Sequence, residues 1–158
     1  MTRLFFLILF VNIKLLAQVK VAFFEYRQQN GQFVSIEPGG RLYHVAIQYQ
    51  NKWMQAHPFF GVKIDEKLEH VGQLYSVIEI NNLASEEYFK KQLRKKFSIT
   101  DSWQNKNSTY CSKLVAEILN IQPTLMKNGQ GWGLSPDDLY KILKQQPHVE
   151  VLSCRQLF

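Results

Sequence analysis

Hydrophobic and polar positions divide the chain into a strand-rich half and a helix-rich half. Residues 19–26 are apolar and aromatic and read as a strand. A polar turn at 28–31 leads into a second short strand at 32–36, and Pro38-Gly39-Gly40 then breaks the chain. Residues 42–49 and 53–57 read as strands around a turn at Gln50-Asn51-Lys52, with Pro58 ending the second. A short strand at 61–64, a polar connection at 65–72 and a strand at 74–80 complete this half. The period then changes. Phe89, Leu93 and Phe97 recur every four residues and predict the buried stripe of a helix that starts near Glu86, capped by Ser85. After a polar stretch at 100–108, Leu114, Val115, Ile118 and Leu119 predict a helix from Cys111 to Asn120. A loop at 122–134 carries Pro123, Gly129, Gly131 and Gly133. The last helix has the clearest start: Ser135 as cap, Pro136 in first position and Asp138 three after the cap. Pro147 closes it, and 149–152 reads as a final strand. Strands first and helices after imply an α+β fold, an antiparallel sheet packed by helices on one face.

Composition changes this picture at the N-terminus. With 46% apolar and 20% charged residues the chain has enough apolar surface to fold and is not of disordered composition. Its longest uninterrupted apolar run, residues 4–11, is too short to span a membrane. A basic start at Arg3, an apolar stretch to Leu16 broken by Asn12 and Lys14, and Ala17 before Gln18 follow the plan of a secretory signal peptide. The alternative is a buried first strand. The expected organisation is a signal peptide at 1–17 and one domain at 18–158, in an exported, periplasmic or secreted protein. Loss of Arg3 and Lys14 would take the net charge from +6 to +4.

That charge raises the question of nucleic acid. Lys90, Lys91, Arg94, Lys95 and Lys96 cluster on the predicted basic helix, but no glycine-rich or aromatic nucleic-acid motif accompanies them. They read as the solvated side of that helix, with some attraction to an anionic envelope surface. Nucleic acid is not expected as a partner, and peripheral membrane contact stays open. The 2 cysteines, Cys111 and Cys154, form no CxxC pair, so no structural zinc site is expected.

The candidate chemistry begins at Cys111. A thiol at a helix N-terminus meets the positive end of the dipole and unpaired N–H groups, which favour thiolate and can hold an oxyanion. The alternative is an inert buried cysteine. A thiolate needs a base. His70 lies in a charged stretch and His148 follows the helix-ending proline, so both read as solvated. His44 starts an alternating strand just after the Pro-Gly-Gly break, on the opposite side from Val45, Ile47 and Tyr49. If the hairpin loop has two residues, Gln50-Asn51 or Asn51-Lys52, then Gln55 and His57 share the face of His44. A three-residue loop reverses this. The Gln55 carbonyl is suited to accept an imidazole N–H and fix the tautomer; His57 competes for either role.

These residues resemble a known family. His44-Val45-Ala46-Ile47, Gln55-Ala56-His57-Pro58 with Gly61-Val62, Tyr110-Cys111-Ser112-Lys113-Leu114-Val115 and Ser135-Pro136-Asp137-Asp138-Leu139 look like the permuted papain-like amidases of the YiiX/YaeF type, in the wider NlpC-type cysteine hydrolase superfamily. The resemblance runs from about residue 40 to 139. It implies a circularly permuted papain-like fold, with Cys111 as nucleophile, His44 as base and Gln55 as the polar third residue. Many relatives carry glutamate at the third position, and the Gly-Asp pair that often opens the domain has no equivalent near 19–27. The implied activity is hydrolysis of amide or ester bonds without metal or organic cofactor. The implied substrates are cell-wall peptides or lipid acyl groups. Two other classes remain: a catalytically silent binding domain on the same fold, and a membrane-surface acyltransferase or thioesterase.

Overall fold

A computed structural model describes residues 18–68, 72–81, 86–122, 133–147 and 149–152. The expected leader, Ser85, His70, His148, Cys154 and most of the glycine-containing loop lie outside the described residues.

The described fold is α+β. Five strands come first: β1 (Gln18–Glu25), β2 (Leu42–Tyr49), β3 (Lys52–His57), β4 (Gly61–Asp65) and β5 (Gln73–Asn81). Helix α1 (Glu86–Gln92) follows, then two short strands, β6 (Lys96–Phe97) and β7 (Ser108–Thr109). Helices α2 (Cys111–Ile118) and α3 (Pro136–Lys144) precede the last strand, β8 (Val149–Leu152). Six strands form one antiparallel sheet in the order β4-β3-β2-β1-β5-β8. β6 and β7 pair separately and in parallel.

The two sides of the sheet differ, as period-two alternation requires. Val21 and Phe23 of β1, Val45 and Ile47 of β2, and Met54 and Ala56 of β3 join Leu114, Val115 and Ile118 of α2 and Leu139 and Leu143 of α3 in the main core. The opposite side is a smaller cluster of Ala22, Phe24, Ala46 and Val77, with Trp53, Leu68 and Leu74 packed on it. α2 is buried almost all round, including Ser112 and Lys113. Ser112 Oγ donates to the Leu134 carbonyl at 2.5 Å, and Lys113 Nζ donates to the carbonyls of Asn105 and Ser108 at 2.7 and 3.0 Å. Such bonds offset the desolvation cost that a buried hydroxyl or ammonium otherwise carries.

The β2–β3 hairpin pairs Tyr49 with Lys52, so its loop is the two residues Gln50-Asn51. Both have positive φ, 49° and 63°, the two-residue turn whose twist matches that of the flanking strands. This is the first of the two registers expected. At the start of α3, Ser135 Oγ accepts from Asp138 N at 3.0 Å, as the cap motif predicts.

Two expected elements are corrected. Residues 32–36 form no strand; one bridge, Arg27 to Phe33, is all that pairs there. Both edges of β1 are already taken, by β2 and β5, so the segment has no edge to extend. The basic helix does not reach Phe97. It ends at Gln92, Leu93 is 36% exposed, and Arg94 turns to φ 78°. Tertiary bonds override the four-residue period here: Val62 N donates to the Lys95 carbonyl at 3.1 Å, and Lys96–Phe97 pairs with β7.

Candidate active site

The start of β2 is fixed from α3. Asp137, in the first turn of that helix, accepts from the backbone N–H groups of Arg41 and Leu42 at 3.0–3.2 Å. Gly40 makes the approach possible, because a Cβ there would sit 2.8 Å from Asp137 Oδ2. Two of the sequence segments singled out above therefore meet. One residue further, β1 and β2 lose register: Glu25 pairs with Leu42 and Phe24 with His44, so Tyr43 is the extra residue of a bulge. A bulge re-aims the side chains around it. Here it turns Leu42 and Val45 both toward the helices and leaves His44 on the other side, beside Phe24.

His44 is buried, and its Nε2 lies 2.8 Å from Gln55 Oε1. The far end of the Gln55 amide, Nε2, donates to Asp65 Oδ2. This second bond settles the first. A carboxylate only accepts, so the Gln55 nitrogen must face Asp65 and its oxygen must face His44. His44 Nε2 therefore carries the proton, and Nδ1, the nitrogen nearer the backbone, keeps its lone pair. Asp65 was not among the residues expected at the site. Its signal was only that β4 runs antiparallel to β3, which sets Gln55 opposite Lys63 and Trp53 opposite Asp65. Lys63 Nζ pairs with Asp65 at 3.0 Å.

Cys111 opens α2 after Tyr110, an N-cap with extended φ and ψ and no side-chain cap bond. The thiol is free, 3% exposed and part of the helix-side core. The β2–β3 ladder ends at Ile47 and Met54. In a hairpin that closes on a bonded pair at Tyr49 and Lys52, the N–H groups of Val45, Ile47 and Tyr49 turn toward β3. Val45 thus points its amide past the end of the ladder, and that amide lies against the Cys111 sulfur. The structure brings the thiol to the residue beside His44, from the other side of the sheet. No hydrogen bond joins the thiol to the imidazole; the side-chain bond His44 makes is to Gln55.

Electrostatics correct a further expectation. The helix N-terminus does not make a ready thiolate. Burial pushes the Cys111 pKa up to about 11, and the amides of Val45 and Ser112 pull it back less than burial raises it. Burial also pushes His44 down to about 4, against the Gln55 bond, which raises it; His57 and Lys63 lower it further. At neutral pH the pair is thiol and imidazole, both uncharged.

His57, the competitor for these roles, is bonded elsewhere. Its Nδ1 accepts from Phe59 N at 3.2 Å, and its ring stacks on Phe60 at 4.8 Å. With His44 and Gln55 it lines a cleft of about 390 Å³, bounded also by Phe59, Phe60 and Lys63. Cys111 does not line that cleft. A second cavity of about 520 Å³, mostly apolar through Phe24, Trp53, Leu74 and Val77 but also lined by Lys20 and Glu66, shares Lys67 and Leu68 with it. Among the described residues no group of three His, Cys, Asp or Glu side chains is placed to hold a metal. Compared with known proteins, the chain matches no family model, no curated protein and no solved structure.

Proposed function

We propose that the protein is an exported cysteine hydrolase of amide or ester bonds, on a circularly permuted papain-like fold. The observation that carries this reading is the chain from Asp65 through Gln55 to His44 Nε2, which reserves Nδ1 as a base beside the residue that meets the Cys111 thiol. Because both groups rest uncharged and no hydrogen bond joins them, the Cys111 sulfur first turns toward His44; its proton then passes to Nδ1 as sulfur attacks the carbonyl carbon, not before. The carbonyl electron pair moves to oxygen, where the Cys111 N–H at the start of α2 is a donor. Collapse breaks the bond to the leaving nitrogen or oxygen, which takes the proton from His44. Water, deprotonated by the same nitrogen, then releases the acyl group from sulfur. Gln55 is neutral and orients the imidazole; the Asp65 carboxylate behind it, itself paired with Lys63, holds the amide in that orientation. The apolar cavity beside the cleft favours a substrate with an acyl chain over a bare cell-wall peptide.

A second reading has its own support. The thiol is buried, held protonated and absent from the cleft lining, as in a binding domain without catalysis. Incubation with 4-nitrophenyl butyrate separates the two. The hydrolase gains the mass of one butyryl group on Cys111, mapped by peptide mass spectrometry, and the gain disappears in Cys111→Ser. Hydrolysis that continues in Cys111→Ser, or no acylation at any pH, removes the hydrolase reading. Export predicts that protein recovered from the producing cells begins at or near Gln18; intact Met1 or Thr2 refutes it.

A further inference from the structure

Pro58, Phe59 and Phe60 join β3 to β4 in one tight turn, and the two phenylalanines are the most exposed large apolar side chains described. Phe59 is 87% exposed and Phe60 72%. Their rings are not loose. The His57 imidazole lies 5.7 Å from the Phe59 ring and stacks on Phe60, and Lys63 Nζ sits 5.9 Å from the Phe60 centroid. Leaving two adjacent phenylalanines in water forgoes a large burial term, so their position at a projecting tip calls for a partner.

The surroundings say what partner. Gly61, at φ 69°, draws the turn against the segment after α1, where Val62 N donates to the Lys95 carbonyl at 3.1 Å. The flanking side chains of that segment, Arg94 and Lys96, are exposed. Neither has an acidic partner among the described residues. The helix itself is different: Lys90 pairs with Glu86 at 3.0 Å and Lys91 with Glu87 at 2.8 Å, while Lys95, between the two exposed cations, pairs with Glu117 at 2.7 Å. The unpaired positive charge thus lies beside the aromatic tip, not along the helix face.

We propose that the β3–β4 turn is a membrane anchor: Phe59 and Phe60 enter the interfacial layer of an anionic bilayer, and Arg94 and Lys96 meet its headgroups. Two aromatic side chains on a narrow projection suit a deformable layer, and adjacent cations suit an anionic one. The same turn rims the His44 cleft, so the anchor holds the mouth of the cleft at the bilayer. The inference does not depend on the chemistry of Cys111.

The test uses the full chain with vesicles of phosphatidylcholine and phosphatidylglycerol. Phe60→Trp should be quenched by brominated lipid beyond the quenching of the wild-type tryptophans. Phe59→Ser with Phe60→Ser should lower partitioning at least about tenfold, since full burial of two phenylalanines is worth roughly 150-fold at the low end and the interfacial layer buries them only in part. Arg94→Gln and Lys96→Gln should each cost about fivefold, a loss that vanishes in high salt or on neutral vesicles. Lys90→Gln with Lys91→Gln should change little. Cys111→Ser should bind as wild type, which keeps this result separate from the hydrolase reading. No added quenching in the Phe60→Trp variant, a serine variant that partitions like wild type, or an equal loss from the Lys90 and Lys91 changes overturns the anchor. So does a lipid-free dimer that the serine changes dissociate, because the patch then belongs to a second copy.

Discussion

The resting state of Cys111 and His44 is open to direct measurement. Burial holds the thiol protonated to about pH 11 and the imidazole neutral down to about pH 4. At pH 7 a group titrating at about 11 is thiolate in roughly one molecule in ten thousand, against about 3% for an ordinary thiol of pKa about 8.5. The deficit is about 300-fold. A more basic thiolate is the better nucleophile, with a Brønsted slope of about 0.4–0.5, which restores a factor of roughly ten to eighteen. Iodoacetamide should therefore alkylate Cys111 at pH 7 about 20- to 30-fold more slowly than a free thiol, before any loss of access. The assay follows labelling from about pH 5 to about pH 11, with the label mapped to Cys111 so that Cys154 is not counted. The logarithm of the rate should climb about one unit per pH unit, with no plateau below about pH 10. His44→Ala should leave this profile nearly unchanged, since a neutral imidazole lends no charge. On the proposed function, hydrolysis in the same variant should fall at least about a hundredfold, because that reading makes His44 the proton carrier. A wild-type plateau between about pH 5 and 8 that His44→Ala abolishes would refute the reasoning, because it reveals a thiolate–imidazolium pair at rest that burial does not prevent.

Other consequences follow from the same residues. His44 has a depressed folded pKa, so the stability it contributes is present above about 6.5 and is lost as pH falls toward about 4. That shift corresponds to about 3 kcal/mol, read as a fall in the urea midpoint that His44→Gln should flatten. Cys111 has a raised folded pKa, so its contribution is present below about 9 and lost as pH rises toward about 11; Cys111→Ser should remove that alkaline slope. Asp65→Asn frees the Gln55 amide to turn its nitrogen toward His44, and kcat should fall about ten- to a hundredfold with the fold intact, the range for losing a charge-assisted hydrogen bond. Equal kcat in wild type and Asp65→Asn removes Asp65 from the positioning chain. Gly40→Ala crowds Asp137 and Ser35, and should destabilise the domain by about 1–3 kcal/mol, seen as a lower Tm.

Local rules sufficed for much of the fold. Alternation gave β2 at Leu42–Tyr49 without error, and the Ser135-Pro136 start of α3 was legible because a cap is a contact between residues three apart. The order of strands and helices gave the α+β class. Cys111 at a helix start and His44 on an alternating strand were legible too, since both are local; that Gln55 shares the face of His44 held only for a two-residue loop, and the structure selected it. Long-range packing decided the rest. Whether residues 32–36 form a strand depended on β1 having a free edge, and it has none. Where the basic helix stops depended on the carbonyl that Val62 needs from Lys95. Asp65 entered the site only because β4 folds back along β3, and no spacing in the chain announces that. The largest reversal concerns charge. A helix N-terminus favours thiolate by proximity, and sequence shows proximity; desolvation depends on everything packed around the sulfur, and only the assembled core around Cys111 determines it.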